Sequence, residues 1–264
     1  MIKIRSLSKA YDQPVLKAID LDVEEGEFVV LLGPSGCGKT TLLKSLNKMI
    51  EYDSGSIEID GKDIEEWDKV DLRRSIGYVI QQIGLFPHLT VADNISYVLD
   101  LIKVPKKERY DRAEKLIEMV GLDKSMLSRY PRELSGGQRQ RVGVARALAA
   151  DAKIILMDEP FGAVDELART RLQDELKGLQ DTLNKTIIFV THDIDEALKL
   201  GTKIVLMNDG NIEQIGTPEE LVYKPWSRFV EDFLGLKGFK SLMKDELVSD
   251  LYREQIITFG GKRV

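Results

Sequence analysis

The chain has 264 residues, a length that predicts one or two domains at about 150 residues each. Its hydrophobic fraction of 43% and charged fraction of 31% are ordinary for a globular protein. The net charge of -6 argues against a general nucleic-acid-binding surface, which would be basic.

The longest apolar runs, Phe28–Leu32 and Ile154–Met157, have the length of buried strands, and none approaches the ~20 residues of a membrane span. The first residues lack the apolar core of a signal peptide. Any link to a membrane is therefore expected to pass through a partner.

Cys37 is the single cysteine, so no intramolecular disulfide is possible, which fits a reducing compartment. It is either a small filler residue or a redox switch.

The N-terminal third predicts strands, then a loop and a helix. Ile2 and Ile4 alternate with polar residues, and Phe28–Leu32 is a continuous run of apolar residues. Gly33–Lys39 is rich in glycine, and Thr40–Met49 is predicted as a helix. Residues 53–84 carry turn signals between short strands.

The segment Gly33–Thr40 matches the pattern G-x-x-x-x-G-K-[ST] of a phosphate-binding loop. Glycines let backbone N–H groups converge on phosphate oxygens, and the following helix points its positive end at them. Lys39 adds a charge for the β and γ phosphates, and Thr40 offers a hydroxyl to Mg²⁺. A chance match in a glycine-rich turn is the alternative, but the required strand and helix flank the loop. The predicted nucleotide-binding residues here are Gly33, Pro34, Ser35, Gly36, Cys37, Gly38, Lys39, Thr40 and Thr41.

Residues 91–150 are predicted to be mostly helical, and residues 153–215 alternate strands with helices. Strand-like runs at Ile154–Met157, Thr186–Val190 and Ile204–Met207 favour a parallel sheet flanked by helices. We therefore expect an α/β core into which a helical block, about residues 86–150, is inserted.

From about Leu236 the apolar residues follow one helical face, which predicts a helix packed on the core or, alternatively, a dimer contact or a truncated linker. These residues are Phe239, Leu242, Met243, Leu247, Leu251 and Tyr252.

The apolar run Ile154–Met157 ends in two carboxylates. A carboxylate at the end of a buried strand can hold Mg²⁺ directly or through water, the role expected for Asp158. Glu159 is then placed to polarise, as a general base, the water that attacks the γ-phosphate. A strand end followed by a turn would have the same sequence, and the phosphate loop favours the functional interpretation.

Two further segments supply candidate anion contacts. His192 follows the run Ile187–Val190, where contact with the γ-phosphate and a structural histidine are equally expected. Leu134–Gln138 precedes a helix rich in Arg and Ala, so Ser135 could cap that helix and its N-terminus could hold an anion.

These segments, in this order, resemble the ABC transporter ATPase family over about residues 1–235, and Leu134–Gln138 is similar to its LSGGQ signature without a departure. The resemblance implies an α/β P-loop NTPase core with a mainly parallel sheet. It further implies an N-terminal antiparallel β subdomain, an inserted helical subdomain and a helical tail at 236–264. It also implies an ATPase that closes as a homodimer, or as paired ATPase subunits, the signature of one subunit meeting the ATP of the other through Ser135, Gly137 and Gln138.

The resemblance assigns further roles, with ATP and Mg²⁺ as cofactors. Tyr11 is expected to stack on adenine, and Gln81 to sense Mg²⁺, or Gln82 if the register is off by one. Gly162–Asp165 matches a loop usually written S-A-L-D, from which Gly162 and Val164 are mild departures. Asp165 is kept, so communication across the dimer is still expected. The implied catalytic residues are Glu159, His192 and Gln81, and the implied metal-binding residues are Thr40, Gln81 and Asp158.

The resemblance also implies partners and a location. The expected location is the cytoplasmic face of the cell membrane, with permease subunits docked near Gln81–Asn94, a substrate-binding protein as an indirect partner and no nucleic acid. Gly77–His88 and Leu43–Ile50 resemble the branch that imports osmoprotectants, which are quaternary amines such as glycine betaine, carnitine or choline. Many members of that branch carry paired cystathionine-β-synthase-type regulatory domains after the ATPase. Since the sequence ends at Val264, we expect a short member or a truncated chain.

Three alternatives remain. An importer of amino acids or polyamines would share all of the ATP chemistry. A soluble ABC ATPase acting on ribosomes or DNA is disfavoured by the single cassette and by the short segment 41–133 between phosphate loop and signature. A non-catalytic paralogue is disfavoured because both Lys39 and Glu159 are present.

Overall fold

A computed structural model describes residues 1–81, 84–162, 164–235 and 237–243. Gln82, Ala163, Leu236 and the predicted tail positions Leu247, Leu251 and Tyr252 lie outside the described residues. The strands are β1 (Ile2–Ala10), β2 (Pro14–Val23), β3 (Phe28–Leu32), β4 (Ser54–Ile59), β5 (Lys62–Asp63), β6 (Ile76–Val79), β7 (Ile154–Asp158), β8 (Thr186–Val190), β9 (Lys203–Asn208) and β10 (Asn211–Gly216). The helices are α1 (Lys39–Ser45), α2 (Lys69–Ser75), α3 (Val91–Ile95), α4 (Tyr97–Leu101), α5 (Lys106–Met119), α6 (Gly136–Ala149), α7 (Glu166–Leu183), α8 (Ile194–Leu200) and α9 (Pro218–Tyr223).

A small N-terminal sheet has the strand order β2-β1-β4-β5 and is antiparallel throughout. Its strands alternate buried and exposed residues, as a sheet does when one face packs on a core and the other faces water. Ile2, Ile4 and Leu7 of β1 point to the buried face. The alternation seen in the sequence therefore reports the one-sided burial of this sheet.

The central sheet has the order β10-β9-β3-β8-β7-β6. Strands β9, β3, β8, β7 and β6 are parallel, and β10 pairs antiparallel with β9 at one edge. Strands β3, β7 and β8 are buried at every residue, as expected for parallel strands with both faces covered. The predicted mainly parallel α/β core is confirmed.

Two hydrophobic cores lie on opposite faces of the central sheet. Val29 and Leu31 of β3 belong to the core that contains α1 and the antiparallel sheet. Val30 and Leu32 of the same strand belong to the core that contains α3, α5, α6 and α8. Because successive strand residues point to opposite faces, α1 and α6 cover different sides of the sheet.

The helical block lies between β6 and β7 and consists of α3, α4, α5 and α6, joined by short 3₁₀ turns at Lys124–Ser128 and Pro131–Glu133. Helix α6 packs on α3, α4, α5 and β6. Among the described residues, no helix combines the length and hydropathy needed to cross a bilayer.

The helix predicted at Thr40–Met49 is shorter in the structure and ends at Ser45. The chain then turns, because the N–H groups of Met49 and Ile50 both donate to the carbonyl of Lys44, and Lys48 has a positive φ of 52°. Propensity alone favours continuing the helix, and these tertiary turn contacts override it.

Residues 228–235 and 237–243 are helical. Leu242 is buried in the core that contains α6, whereas Phe239 is half exposed and meets Tyr223 edge to face at 6.1 Å. Lys237 forms ion pairs with Asp193 and Asp195 at the start of α8, each at 3.4 Å. The described part of the tail thus packs on the core beside α8.

Candidate functional site

The phosphate loop Gly33–Thr40 connects the central strand β3 to α1. Gly38 precedes the helix with a φ of 105°, and a Cβ there would lie 2.6 Å from the carbonyl oxygen of Val15. Only glycine fits this conformation and this contact. Ser35 and Gly36 are exposed and form the mouth of the loop.

The ammonium group of Lys39 lies inside the phosphate loop, with the side chain only 5% exposed. It donates to the carbonyl oxygens of Gly33 and Pro34, each at 2.7 Å, and lies 3.7 Å from the sulfur of Cys37. Cys37 is itself buried, as expected of a small filler residue. The loop therefore encloses a single positive charge next to a helix N-terminus, an arrangement that favours a phosphate chain.

Thr40 at the end of the phosphate loop meets Asp158 at the end of β7, with a hydrogen bond of 2.9 Å from the Thr40 hydroxyl to the carboxylate. Desolvation raises the pKa of Asp158 above its ordinary value, against the opposing effects of the Thr40 hydrogen bond and nearby lysines. A cation held here would favour the ionised carboxylate. A hydroxyl and a carboxylate are hard oxygen ligands, so the residues fit Mg²⁺ that also contacts substrate phosphates.

Glu159 follows Asp158 directly and brings two other predicted residues together. Its Oε2 accepts a hydrogen bond from Nε2 of Gln81 at 3.1 Å, and its Oε1 lies 3.2 Å from Nδ1 of His192. These three side chains follow β7, β6 and β8, which end side by side. Glu159 has a φ of 44°, a left-handed conformation that is costly for a residue with a side chain.

The remaining residues predicted near the nucleotide lie close to the loop or at its edge. Thr41 is partly exposed in the first turn of α1. Tyr11 is 59% exposed in the turn between β1 and β2, with the ammonium of Lys9 5.4 Å from its ring centre. Strand β2 begins after this turn and passes the phosphate loop at Val15. Tyr11 is thus an exposed aromatic side chain on the hairpin beside the loop.

The predicted signature residues lie at the start of α6. The hydroxyl of Ser135 accepts from the N–H of Gln138 at 3.2 Å, and the Gln138 side chain accepts from the N–H of Ser135 at 2.8 Å. This reciprocal capping box fixes the first turn of α6 and thereby the position of its N–H groups, including that of Gly137. Since α6 covers the sheet face opposite α1, the signature and the phosphate loop belong to different layers of one chain.

Asp165, predicted to communicate across a dimer, caps α7 by accepting from the N–H of Ala168 at 3.0 Å. Gly162 is exposed in the turn before it, and Val164 is buried in the core. The two residues that differ from the family's S-A-L-D loop, Gly162 and Val164, therefore lie in the same turn, one exposed and one buried.

Sequence reasoning missed two buried polar residues that hold this site. Gln140 of α6 donates from its side-chain amide to the carbonyl of Glu159 at 3.3 Å. Glu196 of α8 accepts from the hydroxyl of Thr191 at 2.7 Å, and that hydroxyl accepts from the N–H of Asp193 at 3.0 Å. The second chain of bonds orders the turn that carries His192. A polar residue in an amphipathic helix gives no signal that it is buried, so only the tertiary structure reveals both.

The burial of Glu196 should make the stability of the fold depend on pH. Burial raises the pKa of Glu196, and the hydrogen bond from Thr191 acts in the opposite direction. An acid whose folded-state pKa is raised loses stability as pH rises through that pKa. We therefore expect the melting temperature of Glu196→Gln, relative to wild type, to increase as pH rises above about 4. An exposed acid, Glu219→Gln, is the control; a difference that is flat or falls with pH would contradict the assignment.

The predicted docking region borders a cleft of about 460 Å³ between the sheet edge and the helical block. Tyr78, Phe86, Tyr97 and Arg146 are among the residues that line it. Asn94 is fully buried and donates to the carbonyls of Phe86, Leu89 and Thr90. It therefore holds the shape of the loop at one wall of the cleft.

A model of the ABC transporter family matches residues 16–162. Over 237 residues, the chain is 55% identical to the glycine betaine/carnitine/choline transport ATP-binding protein OpuCA and 52% identical to the choline transport ATP-binding protein OpuBA, both from Bacillus subtilis. Each match covers 89% of this chain and 62% of the relative, so the chain spans about three fifths of the length of these relatives. A solved dimer of the ATP-binding cassette MJ0796, bound to ADP and Pi, is 34% identical with a TM-score of 0.77, covering 82% of this chain and 98% of that one.

Proposed function

The chain belongs to the ABC transporter family, and from this we propose that it binds and hydrolyses ATP to drive an importer. The observation that carries the proposal is the convergence of Glu159, Gln81 and His192 beside the Thr40–Asp158 pair. Thr40 belongs to the loop that encloses the charge of Lys39, and its bond to Asp158 joins this loop to the strand that precedes Glu159. Proteins of this type use such a loop for the phosphates and an adjacent carboxylate to activate water.

In the proposed mechanism, loop N–H groups and Lys39 bind the β and γ phosphates, and Tyr11 stacks on adenine. Thr40 and Asp158 would hold Mg²⁺, with Gln81 as a further ligand; the ion would neutralise phosphate charge. Glu159 accepts a proton from the attacking water. His192 and Gln81 orient the Glu159 carboxylate through the contacts at 3.2 and 3.1 Å.

A second copy of the chain is proposed to complete each ATP site. The signature residues Ser135, Gly137 and Gln138 begin a helix on the sheet face opposite α1, so one chain offers two separate half-sites. The dimeric state of the related MJ0796 cassette supports this arrangement. ATP would then close the dimer, and hydrolysis would release it.

Mixing two inactive variants tests the shared site. Lys39→Ala removes the phosphate charge but keeps the signature, whereas Gly137→Asp obstructs the signature but keeps the loop. Random pairing should restore up to about a quarter of wild-type ATPase activity, because half of the dimers contain one intact site of two. The measurement is phosphate release by each variant alone and by the mixture. A mixture no more active than the sum of its components would show that each chain carries a self-contained site.

We further propose a place in the cell and a domain organisation. Residues 1–235 form the ATPase domain, with the helical subdomain at about 86–150, and residues 236–264 form a tail. The cleft beside Phe86 receives a permease subunit, so the chain is peripheral on the cytoplasmic membrane face. A substrate-binding protein would act indirectly through that permease.

The substrate is proposed to be a quaternary-amine osmoprotectant, as in the printed names of the relatives OpuCA and OpuBA. Amino-acid and polyamine import remain the alternatives, because the substrate does not touch an ATPase subunit. The test is ATP-dependent uptake by the chain reconstituted with the permease and binding protein encoded beside it. Uptake of choline or glycine betaine supports the proposal, whereas uptake only of amino acids or polyamines, or neighbouring genes for ribosomal or repair proteins, would contradict it.

A further inference from the structure

Gln140 connects the helix that begins at the signature to the main chain of the proposed base. It lies in the second turn of α6, is only 3% exposed, and donates from Nε2 to the carbonyl oxygen of Glu159 at 3.3 Å. The same helix carries Ser135 and Gln138 at its N-terminus. One rigid element thus has the signature at its end and a contact to Glu159 five residues later.

The main chain of Glu159 is held in its strained conformation from three directions. Its N–H donates to the carbonyl of Val190 at the end of β8, at 3.0 Å. Its carbonyl accepts from the N–H of Gly162 in the following turn, at 3.3 Å, and from Gln140. A left-handed φ of 44° at a glutamate persists only where the surroundings enforce it. Of these contacts, the one from Gln140 comes from the helical block.

We propose that Gln140 is a positioning residue that couples the signature helix to Glu159. The inference rests on the proposed function, in which the signature meets the ATP held by the partner. A shift of α6 on meeting that ATP moves the Gln140 amide and therefore the carbonyl of Glu159 in the same subunit. Glu159 acts on the ATP held in its own loop. The contact thus links the geometry of one ATP site to the occupancy of the other.

The primary test is Gln140→Met, which removes the donor but keeps the length of the side chain. We expect kcat for ATP hydrolysis to fall roughly tenfold, the effect of one lost buried hydrogen bond at a strained position. The affinity for ATP should stay within about twofold, since the substitution leaves Lys39 and the rest of the phosphate loop unchanged. The Hill coefficient for ATP should fall toward that of independent sites. Gln140→Ala, which suits a helix, gives the same readouts should the Met variant fail to fold.

A matched control comes from Gln180 of α7. It is also buried, and its side-chain amide likewise donates to the carbonyl of a residue with positive φ, Gly26. Gln180→Met therefore makes the same chemical change away from Glu159. It should lower the melting temperature comparably but leave kcat and the Hill coefficient near wild type. An equal loss of kcat in both variants would reduce Gln140 to a structural role and overturn the proposal.

A second readout does not depend on ATP hydrolysis. In the full chain without nucleotide, amide hydrogen exchange in residues 159–162 should be faster in Gln140→Met than in Gln180→Met, because the clamp on Glu159 is lost. Unchanged exchange there would overturn the coupling. A wild-type chain that hydrolyses no ATP would instead refute the proposed function, and the exchange measurement would still decide the inference.

Discussion

A Glu159→Gln variant is expected to bind ATP and remain closed as a dimer while hydrolysing it about 10²–10⁴-fold more slowly than wild type. Glutamine has the size of glutamate and can still contact Gln81 and His192, so the geometry around position 159 is kept. It cannot accept the proton of the attacking water. Loss of the base alone thus separates ATP binding from ATP hydrolysis.

Two measurements check this result: phosphate release under saturating ATP, and molar mass by light scattering with and without ATP. Glu118→Gln, an exposed acid on α5 paired with Lys124, is the control and should be active. A Glu159→Gln variant that hydrolyses ATP at the normal rate would remove Glu159 from the role of base.

Lys39→Ala is expected to abolish useful affinity for ATP. The ammonium is buried inside the loop that is proposed to bind the phosphates, at 2.7 Å from each of two carbonyl oxygens. Two charge-assisted hydrogen bonds to phosphate at about 1.5–3 kcal/mol each correspond to a roughly 10²–10⁴-fold rise in Kd. Isothermal titration calorimetry with ATP and Mg²⁺ measures the Kd of each variant.

The control for Lys39→Ala removes a lysine from an exposed ion pair near the loop. Lys17 bonds Asp209 at 2.8 Å on the surface, and such pairs contribute at most about 1 kcal/mol. Lys17→Ala should therefore bind ATP nearly as wild type does. Intact calorimetric binding by Lys39→Ala would contradict the proposed phosphate cradle.

The central sheet could be predicted because its strands are continuous apolar runs. Ile154–Met157 and Thr186–Val190 match β7 and β8 within one residue. A strand that is buried on both faces is almost entirely apolar, so the sequence marks its ends. That Glu159 and His192 lie close together also follows from the sequence, because each comes after a predicted strand of one parallel sheet, whereas the position of Gln81 is implied only by the family resemblance. The roles of these residues remain predictions until the variants are measured.

Other features depend on contacts between residues distant in sequence. The early end of α1 is set by turn bonds to the carbonyl of Lys44 rather than by a helix-breaking residue. The contact between Gln140 and Glu159 joins the helical block to the sheet, and no local pattern distinguishes this glutamine from its neighbours in α6. The left-handed conformation of Glu159 is likewise enforced by surrounding elements, and because the residue is not a glycine the sequence does not predict it.

The position of β3 in the sheet also fixes when the phosphate loop can form during synthesis. Its two neighbours are β8 and β9. Phe28 of β3 pairs with Ile187 of β8, and Leu32 of β3 pairs with Leu206 of β9. The loop follows β3, but both flanking strands are made only after residue 185, far along the sequence from β3. A ribosome must therefore release residues up to about 208 before the sheet around the loop can close, and the nascent chain folds through these distant contacts. The proposed nucleotide site can consequently form only after β9 has left the ribosome.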